Sequence, residues 1–329
     1  MRPSRLTASS NSGTTSDPLG RSAALRPRFR SSSVRRRKET RAAYLFLAPG
    51  FLLFALVILY PIVRAFQISL YSWSIVPGTA SRFLGLHNYA RAIHDPIFWR
   101  ALENTGFYMA VTVPGQIVLG LAIAVLLDAR VPGRGLFRTL YYLPVVTSWV
   151  VVSLLFQYLL ITDGGLANWI LHDNLHVVGH NIDWLGTRWM AMLSLSILGI
   201  WKGVGWAMVI FLAALQGVPV ELKEAAAVDG AKAWARFRAV SLPAIRPVVA
   251  FVTVMLVIGS FNVFISVFLM TKGGPFDETQ VLLTYMYRWA FSYLDFGYGS
   301  ALSFILTLIV FVLAVGQLRL FRRPEEASI

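Results

Sequence analysis

Three histidines, His172, His176 and His180, recur every four residues. On a helix that spacing lines one face with imidazoles, which is one way a transition metal is held. Gly179 and the pair Asp173-Asn174 break the helix such a face needs, and an exposed loop carries histidines without any metal, so no metal site is expected. Lys202 is a sharper case, because it is the one ionisable side chain near the centre of a long apolar run. Left unpaired in a bilayer it would cost roughly 2.5 to 3.5 kcal/mol, so it must face protein or water. It then lines a polar path or bonds the backbone carbonyls of neighbouring helices, and Gly199 and Gly203, at GxxxG spacing around it, favour close packing. Asn262 beside Phe261, and Gln157 in an earlier run, join hydrogen-bonding amides to an aromatic surface, as an array of ligand hydroxyls with apolar faces requires. Taken singly, polar packing between helices explains each of them slightly better.

Other chemistry is missing. The chain has no Cys, so it has no disulfide framework, thiolate metal site or Cys nucleophile. No Gly-Lys dipeptide occurs, which excludes a GxxxxGK[ST] phosphate loop, and neither HExxH nor a Ser/His/Asp arrangement in recognisable context is present.

The elements that position these residues are membrane spans. The 329 residues are 56% hydrophobic and 14% charged, against roughly 25% charged in an ordinary soluble domain. The net charge of +14 is not a nucleic-acid signal, because the basic residues crowd into the N-terminal tail and into short segments beside apolar runs. Residues 1–41, rich in Ser and Arg, are expected to be a disordered basic cytoplasmic tail. Six apolar runs follow, at Tyr44–Val63, Gly106–Leu127, Leu140–Ile161, Met190–Leu215, Val248–Met270 and Tyr298–Leu320, each near the ~20 residues that a spanning helix needs. Pro49, Pro61, Pro114 and Pro144 predict kinks within them. The fold class is therefore all-α: a six-span transmembrane domain over 42–323 and a C-terminal cytoplasmic tail at 324–329. Lys and Arg concentrate in the tail (Arg35, Arg36, Arg37, Lys38), the turn with Arg130, Arg134 and Arg138, the segment 217–247, and the end with Arg319, Arg322 and Arg323. That bias predicts both termini in the cytoplasm. The aromatic residues between Tyr285 and Tyr298 read as a belt at the opposite interface.

The segment 217–247 is a charged, Ala-rich island between two spans. Pro219 suits a helix start, Val218, Leu222, Ala225 and Ala226 form a narrow apolar stripe, and Gly230 supplies a stop. Asp229 is placed to cap a second helix, with Trp234, Phe237 and Ser241 on one face, which Pro243 ends. Small alanines let another backbone approach closely, which suits a helix gripped in a groove. On local pattern alone an amphipathic loop lying on the membrane fits better.

The spacing decides otherwise. Glu224-Ala225-Ala226, three residues, Gly230, nine residues, then Val240-x-Leu242-Pro243 resembles the EAA loop of the membrane subunits of bacterial ABC importers, with Val240 where Ile is more usual. AYLFLAPGFLLFALVILYPIVRAFQISLYSW, IWKGVGWAMVIFLAALQGVP and TKGGPFDETQVLLTYMYRWAFSYLDFGYGSALS are similar to the carbohydrate-importing branch in its compact six-span form. The resemblance implies that Leu222, Glu224, Ala225, Ala226, Asp229, Gly230, Leu242 and Pro243 couple the chain to an ATPase, Glu224 meeting a basic residue there. It implies a multi-pass subunit of the bacterial cell membrane that forms half of a sugar pathway, to which Gln157, Lys202, Phe261 and Asn262 are assigned. The implied partners are a second, non-identical permease, two copies of an ATP-binding subunit and an extracytoplasmic sugar-binding protein, with no cofactor and no nucleic acid. ATP hydrolysis falls to the partner chain. An ion-coupled secondary transporter or channel is the alternative, but it would need charged sites within the spans, which are nearly free of them.

Overall fold

A computed structural model describes residues 33–74, 80–129 and 132–321, with side chains from residue 40 onward. The chain divides into two units, Met1–Leu59 and Tyr60–Ile329. In the first, α1 (Ser33–Phe54) contains Pro49 and runs into a π-helical turn at Ala55–Leu59. The helix starts within the stretch expected to be a disordered tail, because Arg, Lys and Glu are good helix formers and extend an apolar helix by another turn or two. Residues 1–32 and the C-terminal tail lie outside the described residues. Large apolar side chains of this unit, such as Phe46 and Leu45, are exposed.

The second unit opens with α2 (Tyr60–Ser69) and a short hairpin in which β1 (Tyr71–Ser72) pairs antiparallel with β2 (Arg82–Phe83). Then come α3 (His87–His94), α4 (Pro96–Asp128), α5 (Arg134–Val146), α6 (Trp149–Leu159), α7 (Leu166–Asn168) and α8 (Arg188–Gln216). The island carries α9 (Val220–Val228), α10 (Ala233–Arg236) and α11 (Leu242–Ala244). The chain closes with α12 (Arg246–Phe261), α13 (Ile265–Met270), α14 (Leu282–Tyr287) and α15 (Phe296–Phe321).

Five stretches are long and apolar enough to cross a membrane: Thr40–Ser69, Pro96–Asp128, Arg188–Gln216, Arg246–Met270 and Phe296–Phe321. The third run is not one helix. It folds as α5 and α6, which meet at 94°. Pro144 removes a backbone donor in the last turn of α5, Thr147 is extended, and Ser148 starts the next helix from an extended backbone. The second span also begins earlier than its apolar run, because Asp95 caps Pro96 and accepts from the amides of Ile97 (2.9 Å) and Phe98 (3.4 Å).

The core is organised on α4 and α8, which pack along their lengths. Small residues permit this: a Cβ at Gly199 would lie 2.3 Å from the Tyr108 hydroxyl, and one at Gly203 2.2 Å from the Gln116 amide oxygen. Toward the C-terminal end of α4, Ala124 and Leu127 pack with Met208, Phe211, Leu212 and Leu215 of α8 and Val252 of α12.

Candidate functional site

The island hangs from that core at both ends. Val218 and Ile245, which flank it, are buried in the α4–α8–α12 cluster. Between them α9 has no buried residue; Leu222 is 53% and Val228 88% exposed. Val218 therefore belongs to the anchor, while Leu222, Glu224 and Ala225 are exposed and Ala226 is half-buried. The helix ends where Gly230 adopts φ +81°, with the Gly230 amide donating to Ala227 O (3.0 Å) and the Ala231 amide to Ala226 O (3.0 Å). This pair of bonds is a Schellman stop, and a side chain at Gly230 would be strained there. Asp229 does not cap the second helix. It sits at the C-terminus of α9, and α10 starts after an extended Lys232 that makes no side-chain cap. Nor does Pro243 end that helix: a π-helical turn at Phe237–Ser241 carries the chain into α11, where Leu242 and Pro243 stand in the first turn, a position proline tolerates. Trp234 is 71% exposed and stacks on Phe237 at 5.4 Å.

A second feature is a cavity of about 510 Å³ lined by Tyr108, Trp149, Asn262, Val263, Phe264 and Ser266, among others. It opens where α12 breaks before α13 and where α6 begins after the elbow. Among the described residues the buried Ser266 hydroxyl has no hydrogen-bond partner, and the Asn262 amide donates to Ile258 O of its own helix (2.8 Å). Rings of Trp149 and Phe264 beside the Asn262 side-chain amide offer both stacking and hydrogen bonding to a polyhydroxylated ligand. Of the four residues assigned to a path, Asn262 lines this cavity. Phe261 is buried in the core with Val257 and Leu302, and Gln157 is half-buried on α6, outside the lining.

Lys202 is 3% exposed. Its ammonium donates to Pro144 O and Thr147 O, each at 2.8 Å, and lies 4.8 Å from the centre of the Trp149 ring. The cation thus fastens α8 to the elbow between α5 and α6, satisfying carbonyls that the break frees.

The expected aromatic belt is partly internal. Tyr285 and Tyr298 are buried and both donate to the Asp95 carboxylate, Tyr298 at 2.8 Å, while Trp289 packs edge-on against both rings. Arg91 lies over Trp289 (4.3 Å) and Tyr298 (4.1 Å) and pairs with Asp295 at 2.9 Å. Burial, then the bond to Asp95, pushes the Tyr285 phenol well above its ordinary pKa. Sequence reasoning missed this cluster because Asp95 stands 190 residues from Tyr285; only Phe291 and Tyr293 remain exposed as belt residues would. The helix breaks after Asn174, and His176 has φ +52°, so the three histidines share no helical face.

Residues 116–324 match the family model described as binding-protein-dependent transport system inner membrane component. The chain belongs to that family. It is a permease subunit, a multi-pass transport component rather than an enzyme. Among similar proteins is the lactose transport system permease protein LacF of Rhizobium radiobacter, 35% identical over 83% of this chain and 92% of its own. The arabinooligosaccharides transport system permease protein AraP of Halalkalibacterium halodurans is 36% identical, covering 86% of this chain and 89% of its own. A solved bacterial ABC transporter involved in import of the acidic polysaccharide alginate has a chain with the same fold: TM-score 0.76, 21% identity, 88% of this permease and 98% of that chain covered.

Proposed function

We propose that this permease is one of two non-identical membrane subunits of a carbohydrate importer, driven by two copies of a separate ATPase and supplied by an extracytoplasmic sugar-binding protein. The observation that carries the reading is α9, a helix without a buried residue held between two buried anchors. A bare helix with fixed ends is suited to lie in a partner's groove and to pass its displacement into the spans. Leu222, Glu224 and Ala225 present that face, Ala226 and Asp229 shape it, Gly230 stops it, and Leu242 and Pro243 return the chain to α12. The positive-inside bias puts the island and both termini on the cytoplasmic side, where the ATPase resides.

The carbohydrate class is supported by relatives named for lactose and arabinooligosaccharides and by the ring-and-amide lining of the cavity. Asn262 contacts the sugar, while Phe261, Gln157 and Lys202 support the walls of the path. Among the described residues Lys202 is the ionisable group at mid-span, and its protons are committed to carbonyls, which suits an ATP-driven route better than ion coupling. Alternating access then requires that ATP and the loaded receptor bind the two states of the complex differently.

The test uses exposed positions, so that the permease's own fold is not in question. Ala225→Asp and Glu224→Lys should insert in the membrane normally and lose co-purification with the ATPase, since one buries an unpaired carboxylate in the groove and the other opposes like charges. Wild-type assembly and transport in both variants would reduce the island to a membrane-surface segment.

A further inference from the structure

Lys223 stands inside the EAA-like segment, yet the coupling face does not use it. With Ala226 it is one of two residues of α9 that are not exposed. Its ammonium lies 3.1 Å from the Asp128 carboxylate and donates to Leu215 O at 3.0 Å. Asp128 is the last residue of α4, and Leu215 lies in the last turn of α8. Both acceptors therefore sit at negative helix ends, where carbonyls lack intrahelical partners and where a carboxylate is electrostatically misplaced unless a cation joins it. Lys223 supplies that one cation to both ends at once.

What lies at the other end of those helices gives the contact its meaning. Twenty residues of α4, about 30 Å at 1.5 Å per residue, separate Asp128 from Tyr108 in the cavity wall. On α8, Lys202 grips the elbow that carries Trp149 into the same cavity. The paired α4 and α8 thus connect the Lys223 contact with the cavity through continuous helix.

We propose that Lys223 is a positioning residue that latches α9 to the C-terminal ends of α4 and α8, so that displacement of the island moves this helix pair, and through it the cavity wall, as one body. The inference rests on the island being the ATPase-docking element. Without the latch, α9 still docks and ATP is still hydrolysed, but the stroke reaches the helix pair only through the chain ends at Val218 and Ile245 and is transmitted less completely.

The experiment compares Lys223→Met, Asp128→Asn, the double variant and Lys223→Arg in the assembled complex. Co-purification with the ATPase, ATP hydrolysis and transport into vesicles are measured for each. Each single variant should keep co-purification and hydrolysis while transport falls several-fold, raising the ATP consumed per solute moved. The double variant should lose no more than either single one, as groups acting through one contact do, and Lys223→Arg should stay near wild type. Additive losses, a wild-type ratio of hydrolysis to transport in the single variants, or loss of co-purification would each overturn the latch. Failure of the docking reading is seen separately, as wild-type co-purification of Ala225→Asp.

Discussion

Leu212 and Leu222 are ten residues apart, both on helices, and their fates are opposite. Leu212 of α8 is 2% exposed, packed where α4, α8 and α12 converge, whereas Leu222 of α9 is 53% exposed. The chain thus buries α8 against itself and leaves α9 uncovered. Exposed apolar side chains on α1 are explained by lipid. α9 differs: its nine residues include Glu221, Lys223 and Glu224 and span too little length to cross a bilayer. On the function proposed above, its bare face is the one a protein partner covers. One helix is finished by the fold; the other is left bare by it.

The sharpest way to break this contrast is at the closest backbone approach on α8. A Cβ at Gly205 would stand 2.1 Å from Tyr141 O of α5, so Gly205→Leu must push α5 away; a loss of about 3 kcal/mol or more, read as absence of folded complex, is expected. Lys202→Met follows. It strips the part-buried Pro144 and Thr147 carbonyls of their shared donor, at up to about 1–3 kcal/mol for each group left unsatisfied, so the solubilised complex should melt earlier. Lys202→Arg, which retains donors, should lose less. Normal melting with lost transport in Lys202→Met would instead make the ammonium part of the path. The smallest effects come from the two leucines themselves. Leu212→Ala should cost on the order of 2 kcal/mol, since lipid is as apolar as leucine and mainly the packing share of a core truncation remains. Leu222→Ala should change permease stability by less than about 0.5 kcal/mol and should weaken only ATPase binding. Equal destabilisation by the two would erase the distinction between self-packed and partner-packed helices.

Much of this protein was determined along the chain. Hydropathy and length located the apolar runs because a bilayer imposes an all-helical solution on any segment that crosses it. The stop at Gly230 was legible because a left-handed residue at a helix end is a local property of the backbone. Long-range geometry was not. Asp229 as a cap and Pro243 as a terminator followed from residue preference, and both yielded to the path of the chain back to α12. The third apolar run looks continuous in hydropathy, yet it folds as an elbow whose freed carbonyls are met by Lys202, 58 residues from Pro144. The aromatic run after Val281 had the composition of a belt. Asp95 and Arg91, residues from the start of the domain, drew two of its tyrosines and a tryptophan inward. Local rules fix which segments are helices, because hydrogen bonds within a helix close over four residues. Which polar group satisfies which is decided only when distant segments meet, since burial in a shared low-dielectric interior is what makes each partner necessary.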